Sequence, residues 1–121
     1  DTTLILEIVR DAARREIMPQ FRALSEADSN TKSAPDDLVT ATDLAAEALI
    51  TAQLGRAFPD ALILGEEAVT ADRNLRNQLA DATMAVILDP ADGTWNYACG
   101  LALFGVILAV TRQGIPGYGL L

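Results

Sequence analysis

Residues Met84 to Tyr97 constrain this chain more than any other stretch. Met84-Ala85-Val86-Ile87-Leu88 is an apolar run with the length and composition of a buried strand. It leads directly into Asp89-Pro90-Ala91-Asp92-Gly93-Thr94, where Pro90 fixes the backbone between two carboxylates. Gly93 permits close backbone approach, and Thr94 can cap a following short helix. Such a string is ordinary turn chemistry, and strands commonly end this way. Its charge sets it apart. Two acids this close repel unless something positive lies between them, and no Lys or Arg occurs between Arg76 and Arg112. Carboxylates beside the free N–H groups of a helix N-terminus make a place for a cation and a phosphate together.

The overall charge points the same way. With 9 Lys and Arg against 17 Asp and Glu, the formal net charge is −8, which argues against binding nucleic acid through a basic face. An acidic protein that handles phosphate esters must import positive charge, and a divalent metal supplies it economically. The chain has no histidine, which removes Ser-His-Asp, Cys-His and zinc-histidine chemistry. Cys99 is the single cysteine, so an internal disulfide is excluded and a reducing cytoplasm is expected. No apolar run approaches the length of a membrane span and no signal segment is recognised, so no membrane partner is expected. At 121 residues and 50% hydrophobic content, the chain can hold one modest core.

Taken in order, Leu4 to about Phe21 has helical periodicity, with Ile5, Ile8, Val9, Ala12, Ala13 and Ile17 forming a stripe. Thr2 or Thr3 is the expected cap, and Pro19 should kink or end the helix. Ser25 to Asp37 reads as a polar loop, with Lys32 its only lysine. Thr40 and Thr42 suit an extended lead into a largely buried helix from Leu44 to Ala57, capped by Thr42 or Asp43. Phe58-Pro59-Asp60 stops that helix, and Ala61 to Leu64 is a short strand delivering Gly65-Glu66-Glu67. Adjacent acids on a strand point to opposite faces, so only one of the two glutamates can readily join a cluster. Ala68 to Asp81 reads as a surface excursion, with a candidate helix around Asp72 to Ala80. Leu101 to Val110 is a buried strand by length, and Gly117 to Leu121 begins another.

Three blocks then stand in order: Asp37-Leu38-Val39-Thr40-Ala41-Thr42-Asp43, Gly65-Glu66-Glu67, and Asp89-Pro90-Ala91-Asp92-Gly93-Thr94-Trp95-Asn96-Tyr97. Together they resemble the inositol monophosphatase family of the magnesium-dependent, lithium-sensitive phosphatase superfamily. Lys32-Ser33-Ala34-Pro35-Asp36-Asp37 is similar to the family's lead-in to the first block. Ala68, where Ser often follows Gly-Glu-Glu, and Ala102, where Pro is common, depart from the pattern without touching an expected ligand.

The resemblance implies an α+β fold with helices packed on a largely antiparallel sheet, the N-terminal part of a layered αβαβα architecture. Residues 1–121 would then be the N-terminal metal-binding domain of a longer phosphatase, whose C-terminal part carries a further metal-binding Asp and most substrate contacts. It implies Mg²⁺-dependent hydrolysis of a phosphate monoester, inositol 1-phosphate or a related sugar or polyol phosphate, by a water activated on two or three ions. Glu66, Asp89 and the Ala91 carbonyl would hold one ion, and Asp89 and Asp92 another. Thr94 and Asp43 would orient and deprotonate the water, with Glu66 counted in the catalytic set, while the Gly93 and Thr94 N–H groups hold the phosphate. On this resemblance Lys32 belongs to a mobile loop that folds over the site, and the protein is a homodimer. Trp95 is expected to pack as a lid on its helix. The alternatives are a 3′(2′),5′-bisphosphate nucleotidase, then a fructose bisphosphatase, of the same superfamily, or a non-catalytic regulatory or binding protein that keeps the fold.

Overall fold

The computed structural model describes residues 1–23 and 35–121, so Lys32 lies outside the described residues. Helix α1 spans Thr2–Ala12 and buries Ile5, Ile8, Val9 and Ala12, the stripe that its periodicity predicts. Its cap is Asp1 rather than Thr2 or Thr3. The Asp1 carboxylate accepts from the N–H groups of Thr3 and Leu4 at 3.0 and 3.4 Å, so both threonines fall inside the helix. The helix then widens into a π-helical turn, Ala13–Ile17, with the Met18 N–H donating to the Ala13 carbonyl at 2.8 Å. This loss of α-helical register comes just before Pro19, which has no N–H to continue the ladder.

Helix α2 spans Pro35–Ala57. It corrects the expected loop to Asp37, the extended lead through Thr40 and Thr42, and the cap at Thr42 or Asp43. Proline is favoured in a first helical turn and early acids complement the dipole, so Pro35-Asp36-Asp37 opens the helix instead of preceding it. Strand β1 (Leu62–Gly65) is followed by the short helix α3 (Glu66–Ala71) and a 3₁₀ segment, Arg73–Ala80, whose capping residue Asp72 accepts from the Asn74 N–H. Next come β2 (Met84–Asp92), the five-residue α4 (Thr94–Ala98), β3 (Gly105–Arg112) and β4 (Ile115–Leu120). Strand β3 begins later than expected because Leu101 to Phe104 is tied back onto α4. Leu101 donates its N–H to the Asn96 carbonyl, and the Asn96 side-chain amide donates to the Leu103 carbonyl, both at 2.8 Å.

The four strands lie in the order β1-β2-β3-β4, with β1 parallel to β2 and the other pairings antiparallel. The fold class expected from sequence therefore holds: α+β, on a sheet that is antiparallel except at β1. Gln113 and Gly114, both with positive φ (50° and 75°), turn β3 back into β4. One sheet face packs Val86, Leu88, Leu108 and Val110 against Ile5, Ile8 and Val9 of α1 and Ile50 and Leu54 of α2. Residues of opposite parity, Ile87 and Ile107, face away and remain 37% and 38% exposed. A second cluster gathers Ile17, Ala46 and Tyr97, with Phe21 and Phe104 against it. Within it the buried Tyr97 hydroxyl donates to the Ile17 carbonyl at 2.7 Å, and its ring meets Phe104 edge-on. Trp95, by contrast, is 72% exposed. Tyr97 turns inward from α4, so the expected lid role of Trp95 is not met. Among the described residues no helix is long and apolar enough to cross a membrane.

Candidate active site

The parallel pairing of β1 with β2 sets Gly65 beside Leu88, so both chains leave the sheet at the same end. From β1 emerge Glu66 and Glu67, in the first turn of α3 and not on a strand as expected. From β2 emerge Asp89 and Asp92, across an irregularity in the pairing with β3. Asp89 Oδ1 accepts from the Ala91 N–H at 3.1 Å, and Pro90 between them contributes no donor. Thr94 does not cap α4. Gly93 holds the cap position with φ 87°, and the Thr94 hydroxyl instead donates back to the Ala91 carbonyl at 2.9 Å. A Cβ on Gly93 would lie 2.7 Å from the Leu103 carbonyl oxygen, so glycine is required there by both conformation and space.

Helix α2 supplies the third side. Asp43 and Glu47 are four residues apart, on one helix face, and both are nearly buried. Asp43 lies inside the helix, and its Oδ1 has no hydrogen-bond partner among the described residues. Burial, then the charges of Glu67, Asp89, Glu66 and Glu47, raise its pKa from the ordinary 3.8 to about 7. Burial likewise raises Glu66, helped most by Asp89 and Glu67, and raises Glu67, helped by Glu47 and Asp89. Asp89 is also raised by burial, against the lowering effect of the Ala91 N–H, with Asp92 adding to the rise.

The fold thus brings Asp43, Glu66, Asp89 and Asp92 into one electrostatic neighbourhood, with Ala91, Gly93 and Thr94 where β2 passes into α4. Among the described residues no three of the acids already converge tightly enough to form a ready-made cage for an ion. Their chemistry nonetheless fits a hard divalent cation. The donors are all oxygen, one buried carboxylate oxygen is unpartnered, and none of these acids makes an ion pair among the described residues. Glu66 and Asp89 also border a cavity of about 410 Å³ that continues over Leu64, Val69 and Ile87 to Arg76.

Glu47 is the site residue that sequence reasoning missed. Its carboxylate accepts from the backbone N–H groups of Glu67 at 2.8 Å and Ala68 at 2.9 Å, closing the N-terminus of α3. The only local signal was its spacing from Asp43 on a helix otherwise rich in Ala and Leu.

The inositol monophosphatase family model matches residues 2–121. The chain is 34% identical over 114 residues to the chloroplastic phosphatase IMPL1 of Arabidopsis thaliana, covering 93% of this chain and 29% of that protein. It is 32% identical over 119 residues to the histidinol-phosphatase of Streptomyces coelicolor, covering 98% and 41%. The crystal structure of inositol monophosphatase-II from Staphylococcus aureus matches with a TM-score of 0.71 at 26% identity, over 98% of this chain and 40% of that one. The chain therefore spans well under half the length of each. The matched span takes in every carboxylate of the cluster, and by sequence and backbone alike the chain belongs to the inositol monophosphatase family.

Proposed function

We propose that the protein carrying these residues hydrolyses a phosphate monoester with Mg²⁺ as cofactor, and that its substrate is inositol 1-phosphate or a related sugar or polyol phosphate. The observation that carries this reading is Asp43, whose buried, unpartnered oxygen sits among the carboxylates delivered by β1 and β2. Family membership supports phosphatase activity. The cofactor and the substrate rest on the donor chemistry and on the names of relatives.

Glu66, Asp89, Asp92 and the Ala91 carbonyl are the groups that would hold Mg²⁺. When bound, the cation would neutralise this cluster, acidify water and stabilise a leaving alkoxide. The chain's own residues do the remaining work. Asp43 is the general base: its buried Oδ1 has no hydrogen-bond partner among the described residues and is free to accept a proton from water. The Thr94 hydroxyl donates its hydrogen bond to the Ala91 carbonyl, which leaves its lone pairs to accept from that water and set its direction. The Gly93 and Thr94 N–H groups, at the start of α4, hold phosphate oxygens. Because the chain spans 29% to 41% of the length of the two relatives described, a further carboxylate and most substrate contacts are assigned to residues outside this segment. A cytoplasmic homodimer completes the reading. It is supported by the family resemblance and by Cys99 as the lone cysteine.

The test is turnover by the full chain of inositol 1-phosphate, histidinol phosphate and adenosine 3′,5′-bisphosphate, with Mg²⁺ and with EDTA. Mg²⁺-dependent release of phosphate from the first, inhibited by millimolar Li⁺, is expected. Preference for the bisphosphate moves the protein to the nucleotidases. Mg²⁺ binding without hydrolysis of any ester assigns it to the non-catalytic class.

A further inference from the structure

We infer that Glu47 is a positioning residue, which locks the Glu66 end of α3 against the Asp43 face of α2. Helix α3 is only six residues long, and its cap position is occupied by Gly65, which has no side chain to satisfy the first N–H groups. Glu47 reaches in from α2 and accepts from the Glu67 and Ala68 N–H groups, doing from another helix what a capping side chain does locally. A buried carboxylate with both oxygens engaged in this way fixes a direction as well as a distance. Gly65 is the other half of the arrangement, because a Cβ built there would overlap the Glu47 carboxylate itself. The absence of a side chain at Gly65 is thus the condition for the carboxylate at Glu47. Asp43 is one helical turn before Glu47, so the same rigid face carries the candidate base and the anchor of the glutamates opposite it. If α3 rotated or frayed, Glu66 would leave the neighbourhood of Asp89 while Asp43 stayed where it is. This rests on the proposed reading of the site, in which Glu66 and Asp89 act on one cation.

The experiment uses the full chain and four variants: Glu47→Gln, Glu47→Asp, Gly65→Ala and the double variant Glu47→Asp/Gly65→Ala. Mg²⁺ affinity is read by calorimetry, kcat and KM by phosphate release, and protection of the Glu67 and Ala68 amides by hydrogen exchange. Residues that orient metal ligands typically change affinity or activity by about 10–100-fold, and a weakening of that size is expected for Glu47→Gln and Gly65→Ala, with KM less affected than kcat. The double variant should recover part of both losses, because the shorter acid makes room for the Cβ. A merely structural contact would show that rescue in amide protection alone, with Mg²⁺ affinity unchanged across the folded variants. Fast exchange of both amides in the wild type would overturn the inference, whatever the variants do. So would a folded Glu47→Gln chain with wild-type Mg²⁺ affinity. If the wild type binds Mg²⁺ and hydrolyses no ester, the functional reading fails, and a loss of Mg²⁺ affinity in Glu47→Gln still upholds the role of Glu47.

Discussion

The Thr94 hydroxyl donates to the Ala91 carbonyl at 2.9 Å, so one hydrogen bond joins the residue proposed to orient water to the carbonyl proposed to face the cation. The proton of the hydroxyl is thereby committed, and what remains to offer solvent is an acceptor. Thr94→Ala should lower kcat by about 10²–10⁴-fold, the usual range for losing assistance to proton transfer, with Mg²⁺ affinity nearly unchanged. Thr94→Ser keeps the hydroxyl and should stay within a few-fold of wild type. Steady-state kinetics beside calorimetry checks this. A serine variant as slow as the alanine one would shift the role of Thr94 from its oxygen to its methyl group.

Asp89 is the carboxylate shared by both proposed ligand sets, and its ionisation in the folded chain is opposed by burial and by Asp92. Asp89→Asn should abolish hydrolysis while the metal-free protein melts at the same temperature or higher, since one repulsive charge has gone. Thermal melts in EDTA and phosphate release at saturating Mg²⁺ read the two halves separately. Near wild-type kcat would remove Asp89 from the ligand set.

Asp43 makes the stability of the metal-free chain depend on pH. Its folded pKa, about 7, lies above the ordinary 3.8, so between these values the folded state binds the extra proton. Stability therefore falls as pH rises from about 4 to about 7, and is level above that. Glu66, Glu67 and Asp89, all raised, push the same way. Melting temperatures across this window should decline for wild type in EDTA and decline less for Asp43→Asn, which should be the more stable of the two at pH 8. Equal slopes would mean that Asp43 is ionised well below neutrality.

Tyr97 holds α4 to the π-helical turn through its bond to the Ile17 carbonyl. Tyr97→Phe removes this bond, but the Ile17 carbonyl keeps the Gln20 and Phe21 N–H groups, so a destabilisation of about 0.5–1.5 kcal/mol is expected. Urea unfolding should show a lower midpoint with an unchanged slope. An unchanged midpoint would show that water or another donor takes the place of the hydroxyl.

Much of the architecture is legible in the sequence because it is written in periodicity. Ile5, Ile8, Val9 and Ala12 mark the buried stripe of α1, and the alternation of Val86 and Leu88 with Ile87 marks the two faces of β2. The carboxylates at the strand ends were legible because acids without basic neighbours are unusual beside an apolar run. Boundaries were not. Pro35-Asp36-Asp37 carries both loop and helix-start chemistry, and only the tertiary context decides between them. Glu66 and Glu67 read as the end of a strand because the helix they begin is too short to show a period. Glu47 escaped for a different reason. Its partners are backbone N–H groups about one strand and one turn away, and such groups have no signature in side-chain sequence.

The parallel pairing of β1 and β2 also has a consequence in time. Its strands are joined through α3 and the 3₁₀ segment, so it closes a longer loop than the β3–β4 hairpin and should form later. Glu66 and Asp89 are brought together only by that closure, which means that their repulsion is met at a late barrier rather than throughout collapse. Added salt should therefore accelerate folding of the metal-free chain, most visibly at pH 8, and stopped-flow refolding across an ionic-strength series would time the moment at which the acids first meet.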